Sequence, residues 1–253
     1  MTPHKLYGLV GRTLGHSFSR SYFTEKFERE GIDASYVNLE LSDISEITGI
    51  VASRGLAGFN VTVPYKQAVM PLLTAGLAPS AEVVGAVNVV RVLPDGRLRG
   101  YNTDVSAFAV SLRGLLSGRP MPRRALVLGT GGASRAVVSA LRSMGIKPLL
   151  VSRAAGRGDL AYAGLTPAVM AECMLVVNTT PLGMWPRCDE APAIPYDAIT
   201  PAHACFDLVY NPDPTLFMRL AAARGAAVRS GLEMLHLQAE ESWNIWNNIS
   251  DNE

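Results

Sequence analysis

Ala125-Leu126-Val127-Leu128-Gly129-Thr130-Gly131-Gly132-Ala133-Ser134-Arg135-Ala136 decides the fold of this 253-residue chain. Its first four residues are too apolar for an exposed strand and read as a centre strand of a parallel sheet covered on both faces. They run into a glycine turn and then into a helical pattern, the order of a dinucleotide site. One glycine permits the reversal, and a second lets a pyrophosphate approach the backbone. The helix N-terminus then offers free N–H groups and a partial positive charge to the phosphates. Ser134 takes the place of the third glycine of the usual pattern, so the loop by itself also fits a plain glycine-rich strand-to-helix turn.

Working outward, Leu149–Ser152, Leu175–Asn178 and Cys205–Val209 read as further buried strands, with helices over Ala133–Met144 and Thr215–Arg224. The stretch between Arg153 and Glu172 is short and rich in Gly and Ala, which predicts a stunted helix. Upstream, strands fall at Leu6–Val10, Ser35–Leu39 and Gly58–Val61, and helices at Phe18–Glu30 and Asp43–Arg54. Val87–Val92 and Arg97–Tyr101 flank Pro94-Asp95-Gly96 and read as a hairpin, because an Asp-Gly pair tolerates positive φ. Apolar runs alternating with amphipathic ones define an α/β protein. The change of pattern places domains at 1–102 and 103–231, with 232–253 a C-terminal segment whose helix, Leu232–Ile249, follows Gly231 and is expected to cross back and pack on the first domain.

Composition narrows the function. Hydrophobic residues make up 48% of the chain and charged ones 18%, which fits a folded globular protein. With 23 basic against 22 acidic side chains the net charge is +1, so no field favours nucleic acid or anionic lipid, and the expected partners are small molecules. Met1–Lys5 leads into a strand without a secretory pattern, and no apolar run reaches transmembrane length. Cys173, Cys188 and Cys205 form neither a CxxC nor a Cys/His cluster and read as reduced cytosolic thiols, with no metal site. The expected compartment is the cytoplasm; monomer and homodimer both remain open.

Val151-Ser152-Arg153, with Arg157 close behind, ends the second strand of the nucleotide half in cations, where an NAD site carries Asp or Glu. That favours a 2′-phosphate and hence NADP, with NAD still open. In Asn60-Val61-Thr62-Val63-Pro64-Tyr65-Lys66, Pro64 is expected at the first helical position and Lys66 in the first turn. The helix dipole disfavours a cation there, so a carboxylate or an anionic ligand should hold it. Read alone, Lys66 is equally a surface lysine. Asp104, at the start of an expected helix after Asn102-Thr103, is equally a cap. The hydroxyls of His16-Ser17-Phe18-Ser19 are equally capping groups.

The order of these pieces resembles the shikimate dehydrogenases of the shikimate/quinate dehydrogenase family. The matching stretches are His16-Ser17-x-Ser19, Asn60–Lys66, Gly85-Ala86-Val87-Asn88, Asn102-Thr103-Asp104, Gly129–Ala136, Asn178-Thr179-Thr180-Pro181-Leu182-Gly183-Met184, and Gly231–Leu235 with Gln238-Ala239. The resemblance implies an N-terminal α/β substrate domain followed by a Rossmann-like doubly wound dinucleotide domain. It also implies NADPH-dependent reduction of 3-dehydroshikimate, with Lys66 and Asp104 as the catalytic pair. The substrate residues it implies are Ser17, Ser19, Thr62, Lys66, Asn88, Asp104, Tyr210 and Gln238. The cofactor residues are Gly129, Gly131, Gly132 and Ala133 at the phosphates, Ser152, Arg153 and Arg157 at the adenosine end, and Met184, Leu208 and Gly231 near the nicotinamide. Arg20 departs from the family's usual Ser-Pro. A quinate/shikimate or broad-specificity homologue using NAD, or a noncatalytic nucleotide-binding homologue, are the rival readings. A short-chain dehydrogenase would need a Tyr-x-x-x-Lys pair in the nucleotide half, and a zinc dehydrogenase clustered ligands; the sequence offers neither.

Overall fold

The computed structural model describes residues 4–15, 18–154 and 156–248. The chain divides into two compact units, Met1–Thr103 with Gln238–Glu253, and Asp104–Leu237.

In the first unit, β1 (Lys5–Gly11), α1 (Phe18–Glu30), β2 (Ala34–Glu40), α2 (Glu46–Arg54) and β3 (Leu56–Val61) alternate, followed by α3 (Pro79–Val84) and the strands β4 (Val89–Val92) and β5 (Leu98–Tyr101). The sheet order is β2-β1-β3-β4-β5. β1 is parallel to β2 and β3, whereas β4 is antiparallel to both β3 and β5. The hairpin read from Asp95-Gly96 is therefore present, with Gly96 at φ 82°. One face of the sheet buries Val10, Ile47, Phe59 and Val90, and another cluster gathers Tyr7, Phe23, Phe27 and Trp246.

The helix expected from Pro64 onward does not form. Residues 63–69 make successive turns, ending in a 3₁₀ turn at Met70–Leu72. A helix would need the Lys66 carbonyl for the Met70 N–H. That carbonyl instead accepts from Val87 N at 2.7 Å, and Met70 N turns to Gln67 O at 3.1 Å.

The second unit opens with α4 (Asp104–Leu115) and continues through β6 (Arg124–Leu128), α5 (Gly132–Ser143), β7 (Lys147–Ser152), β8 (Leu160–Ala161), α6 (Pro167–Glu172), β9 (Leu175–Asn178), β10 (Ala204–Asp207), α7 (Leu216–Ala222) and β11 (Ala227–Arg229). Its sheet is parallel throughout, in the order β11-β10-β9-β6-β7-β8. Leu126, Val127, Val176, Val177, Cys205 and Phe206 are all 0% exposed, as strands covered on both faces must be. The short edge strands β8 and β11 were not expected, since two and three residues carry no readable periodicity. α8 (Leu232–Trp246) begins in this unit and ends in the first.

Within the first unit, Trp246 stacks on Tyr7 with ring centroids 4.7 Å apart and donates its indole N–H to Val90 O at 3.1 Å. Lys26, only 6% exposed, joins α1 to α8 through Glu240 at 3.0 Å, and the Tyr22 hydroxyl reaches the same carboxylate. Gly58 lies under Trp246, and a Cβ there would strike the indole ring. We expect Gly58→Ala to destabilise the protein by about 1–3 kcal/mol, as overpacking of a filled core does. A lowered midpoint in thermal unfolding followed by circular dichroism checks this, and an unchanged midpoint contradicts it.

Candidate active site

In the first unit the polar residues collect at one sheet edge. β1 and β3 end there at Gly11 and Val61, and the antiparallel partners bring the start of β4 and the end of β5 to the same edge. Asn88, 3% exposed, donates to Thr103 Oγ1 at 3.0 Å and accepts from Thr103 N at 2.8 Å. Thr103 Oγ1 donates to the Gln238 carbonyl at 3.2 Å, which also accepts from Ser242 at 2.7 Å. Asn60 extends the chain, donating to Ser242 Oγ at 2.9 Å and accepting from Tyr36 at 2.8 Å. Tyr36 in turn hydrogen-bonds Ser19, and burial pushes its phenol well above the usual range.

Ser19, Asn88 and the backbone of Gln238 are thus joined by one buried hydrogen-bond network. Tyr36 and Ser242, which the sequence reading passed over, and Asn60, which it quoted without a role, link them. Thr62 follows β3 directly, its N–H donating to Val10 O at 2.9 Å, and Lys66 lies in the turns beyond it, half-buried. Gly11 makes room for Thr62, because a Cβ there would come within 2.8 Å of the threonine methyl. Ser17 lies outside the described residues.

The second unit presents the glycine loop at its switch point, where strand order reverses on either side of β6. Gly129 has φ +109°, a conformation side chains rarely adopt, and its Cβ would meet Thr179 Oγ1 at 2.9 Å. Gly131 is the N-cap of α5 and no side chain caps that helix. Gly131, Gly132 and Ala133 are exposed, with open space around both glycines. A cradle of uncapped N–H groups at the start of a 12-residue helix fits a diphosphate. Ser134 is not idle in the third glycine's place, for its hydroxyl donates to Gly131 O at 2.6 Å and closes the turn.

Ser152 ends β7, and its Oγ accepts from Ala154 N at 3.2 Å; Arg153 and Arg157 stand exposed on the turn that follows. Met184, 46% exposed, lies in the loop after β9. Leu208 follows β10, its N–H donating to Asn178 O at 2.9 Å, and Gly231 packs so closely that a Cβ would run into the Leu208 carbonyl. Tyr210 is half-buried, and desolvation raises its phenol. Asp104 is the first residue of α4.

Sequence reasoning missed Asp207. It ends β10 fully buried, its carboxylate accepting from Asn178 Nδ2 at 2.9 Å, Val209 N at 3.0 Å and Thr215 Oγ1 at 2.6 Å. An acid inside an otherwise apolar strand was the available signal, since such a group must find partners.

A mixed-sheet α/β unit and a parallel-sheet one whose switch point fits a dinucleotide define a nucleotide-binding α/β protein, the class that includes the nucleotide-dependent oxidoreductases. Residues 9–90 match the family model described as shikimate dehydrogenase substrate binding domain. A shikimate dehydrogenase (NADP(+)) of Desulforamulus reducens is 35% identical, over 94% of this chain and 88% of its own length. The solved shikimate 5-dehydrogenase of Thermus thermophilus, in complex with NADP(H) and shikimate, is 32% identical with a TM-score of 0.83, covering 96% of this chain and 94% of that one. Quinate dehydrogenase of Corynebacterium glutamicum, in complex with NAD, is 27% identical with a TM-score of 0.87, covering 96% and 94%. The chain belongs to the shikimate dehydrogenase family.

Burial drives the Asp207 carboxyl up from 3.8 to about 6, although Thr215, Val209 and Asn178 all act to lower it. Between those values the folded carboxyl keeps a proton that the unfolded one has lost, so this group favours the folded state increasingly as pH falls from about 7 towards 4. The full effect is about 3 kcal/mol. The stability of wild type relative to Asp207→Asn should therefore rise between pH 7.5 and pH 5, read from paired denaturant titrations; a pH-independent difference would refute it.

Proposed function

We propose that this chain is an NADP-dependent shikimate dehydrogenase that reversibly reduces 3-dehydroshikimate to shikimate in the cytoplasm. The observation that carries this is likeness to an NADP(+) enzyme over 94% of the chain; the sequence carries Lys66, Asn88, Asp104 and Gln238, to which the family resemblance assigns the substrate roles. The free thiols of buried Cys173 and Cys205 agree with a reducing compartment.

Gly129, Gly131, Gly132 and Ala133 would hold the diphosphate, Arg153 and Arg157 the 2′-phosphate, and Met184, Leu208 and Gly231 the nicotinamide end. When bound, NADPH supplies the hydride that reaches the ring carbonyl. Lys66 donates the proton to the oxygen that carries the developing charge, and in the reverse direction takes it back as a neutral amine. Asp104, the carboxylate of the proposed pair, would orient the transfer. Hydroxyls of Ser17, Ser19 and Tyr210 hold the carboxylate, and Asn88 and Gln238 read the ring hydroxyls. A site that hydrogen-bonds hydroxyls rejects analogues lacking them, because its own buried groups would be left unpaired.

Absorbance at 340 nm with shikimate or quinate against NADP or NAD tests substrate and cofactor together. Shikimate with NADP should be the most efficient pair, and no oxidation with any pair would favour a noncatalytic homologue. Lys66→Ala should lower turnover at saturating substrates by roughly 10² to 10⁴ while leaving the fold intact; near-normal turnover would remove Lys66 from the mechanism. Arg153→Ala should weaken NADP by roughly 1.5–3 kcal/mol, the worth of a hydrogen bond to a charged group, and leave NAD unaffected. Equal losses for the two cofactors in a fluorescence titration would mean that Arg153 does not meet the 2′-phosphate.

A further inference from the structure

We infer that Asp207 is a positioning residue for the reaction, holding the chain segments after β9 and β10 in the one arrangement in which Met184, Leu208 and Tyr210 serve the nicotinamide end and the substrate. The inference rests on the roles proposed above for those three residues. Three donors converge on the carboxylate from three places in the fold: the Asn178 amide at the end of β9, the Val209 N–H just past β10, and the Thr215 hydroxyl that caps α7.

Each donor passes the constraint on. The Asn178 oxygen accepts from Thr180 N at 3.0 Å and Thr180 Oγ1 at 2.6 Å, which fixes the first turn of the loop that leads to Met184. Val209 N belongs to the peptide that joins Leu208 to Val209, the residue before Tyr210, and Val209 O accepts from Gly231 N at 3.3 Å. The two segments are also tied directly, through Leu208 N to Asn178 O at 2.9 Å and Trp185 N to Asn211 O at 3.1 Å. Ser230, beside Gly231, donates to Asp213 Oδ2 at 2.6 Å, closing the loop after β10 onto the start of α8.

Only an ionised carboxylate accepts from all three donors without offering one back. In Asp207→Asn the Oδ1 partners can stay, but the new NH₂ faces the Thr215 hydroxyl, which already accepts from Met218 N at 3.2 Å. The variant therefore changes one bond in a site of nearly unchanged volume. Burying an acid at this point costs stability, so a strand end serving packing alone would be better filled by an apolar side chain. That cost is consistent with a role in placing the loops.

The test compares wild type, Asp207→Asn, Thr215→Val and Thr215→Ser by steady-state kinetics, thermal midpoint, and calorimetric affinity for NADP+ and for 2′,5′-ADP, a fragment without nicotinamide. In Asp207→Asn and Thr215→Val, turnover should fall roughly tenfold to a hundredfold, as misplacement of about 1 Å does. NADP+ should bind more weakly while 2′,5′-ADP binds as before, and Thr215→Ser should restore both. A lowered thermal midpoint with unchanged turnover and NADP+ affinity, or parallel weakening of NADP+ and 2′,5′-ADP, overturns the proposal. If Asp207→Asn does not fold, the two Thr215 variants decide it. Wild type that fails to oxidise shikimate overturns the underlying reading and the proposal together, whereas active wild type with undisturbed variants overturns the proposal alone.

Discussion

Parallel pairing makes every strand of a sheet end on the same edge, and in this chain the polar chemistry has nowhere else to go. Leu128, Asn178 and Asp207 lie in one register line across β6, β9 and β10, and the residues before them are sealed from solvent on both faces. A strand buried in that way can offer polar groups only at its end and in the loop beyond. The glycine loop, the Asn178–Met184 loop and the Leu208–Tyr210 loop therefore emerge side by side. The first unit reaches the same result with a mixed sheet: β4 starts and β5 ends where β1 and β3 stop, which sets Asn88 against Val61, the residue before Thr62, and Thr103 onto Asn88.

Crowding so many chain reversals onto one edge sets two requirements. The backbone must approach closely, which is why Gly129 adopts positive φ and Gly231 leaves room for the Leu208 carbonyl. Polar groups brought there without water must also find partners, since each one left unpaired costs about 1–3 kcal/mol. Tyr36, Asn60, Asn88, Thr103 and Ser242 meet this by bonding one another, and Asn178, Asp207 and Thr215 do the same in the other unit. A satisfied network of this kind has one good geometry, so it restricts the side chains and loops attached to it.

The sequence made the α/β pattern legible because buried strands are continuous apolar runs, and Ala125–Leu128, Leu175–Asn178 and the Asp95-Gly96 hairpin all stand where the pattern puts them. It misled at Pro64–Lys66, where local preference favoured a helix and a long-range bond from Val87 took the carbonyl that helix needed. β8 and β11 escaped notice because their pairing is set by neighbouring strands rather than by their own residues. For the site, short ordered motifs marked Lys66, Asn88, Asp104 and the glycine loop. The roles of Tyr36 and Asn60 stayed hidden because their bonds to each other and to Asn88 span 24 residues or more, and that of Asp207 because its tie to Asn178 crosses to another strand, although an acid in an apolar strand was itself a signal.

The connection from β7 to β8 shows how two parallel neighbours can be joined without a full crossover helix. Parallel neighbours ordinarily need a connection of a dozen residues or more, yet Val151 pairs with Leu160 and Ser152 with Ala161. The return is pinned against β7 itself: Asp159 N donates to Leu150 O at 2.9 Å, and the Asp159 carboxylate accepts from Leu150 N at 2.8 Å. Gly158 permits that approach, since a Cβ would come within 2.7 Å of the same Leu150 carbonyl. At the other end Ser152 Oγ holds Ala154 N. Arg153 and Arg157 thus lie in a connection that these bonds tie down at both ends. The conformational entropy lost in ordering so short a connection is offset on folding by the bonds that hold it to β7.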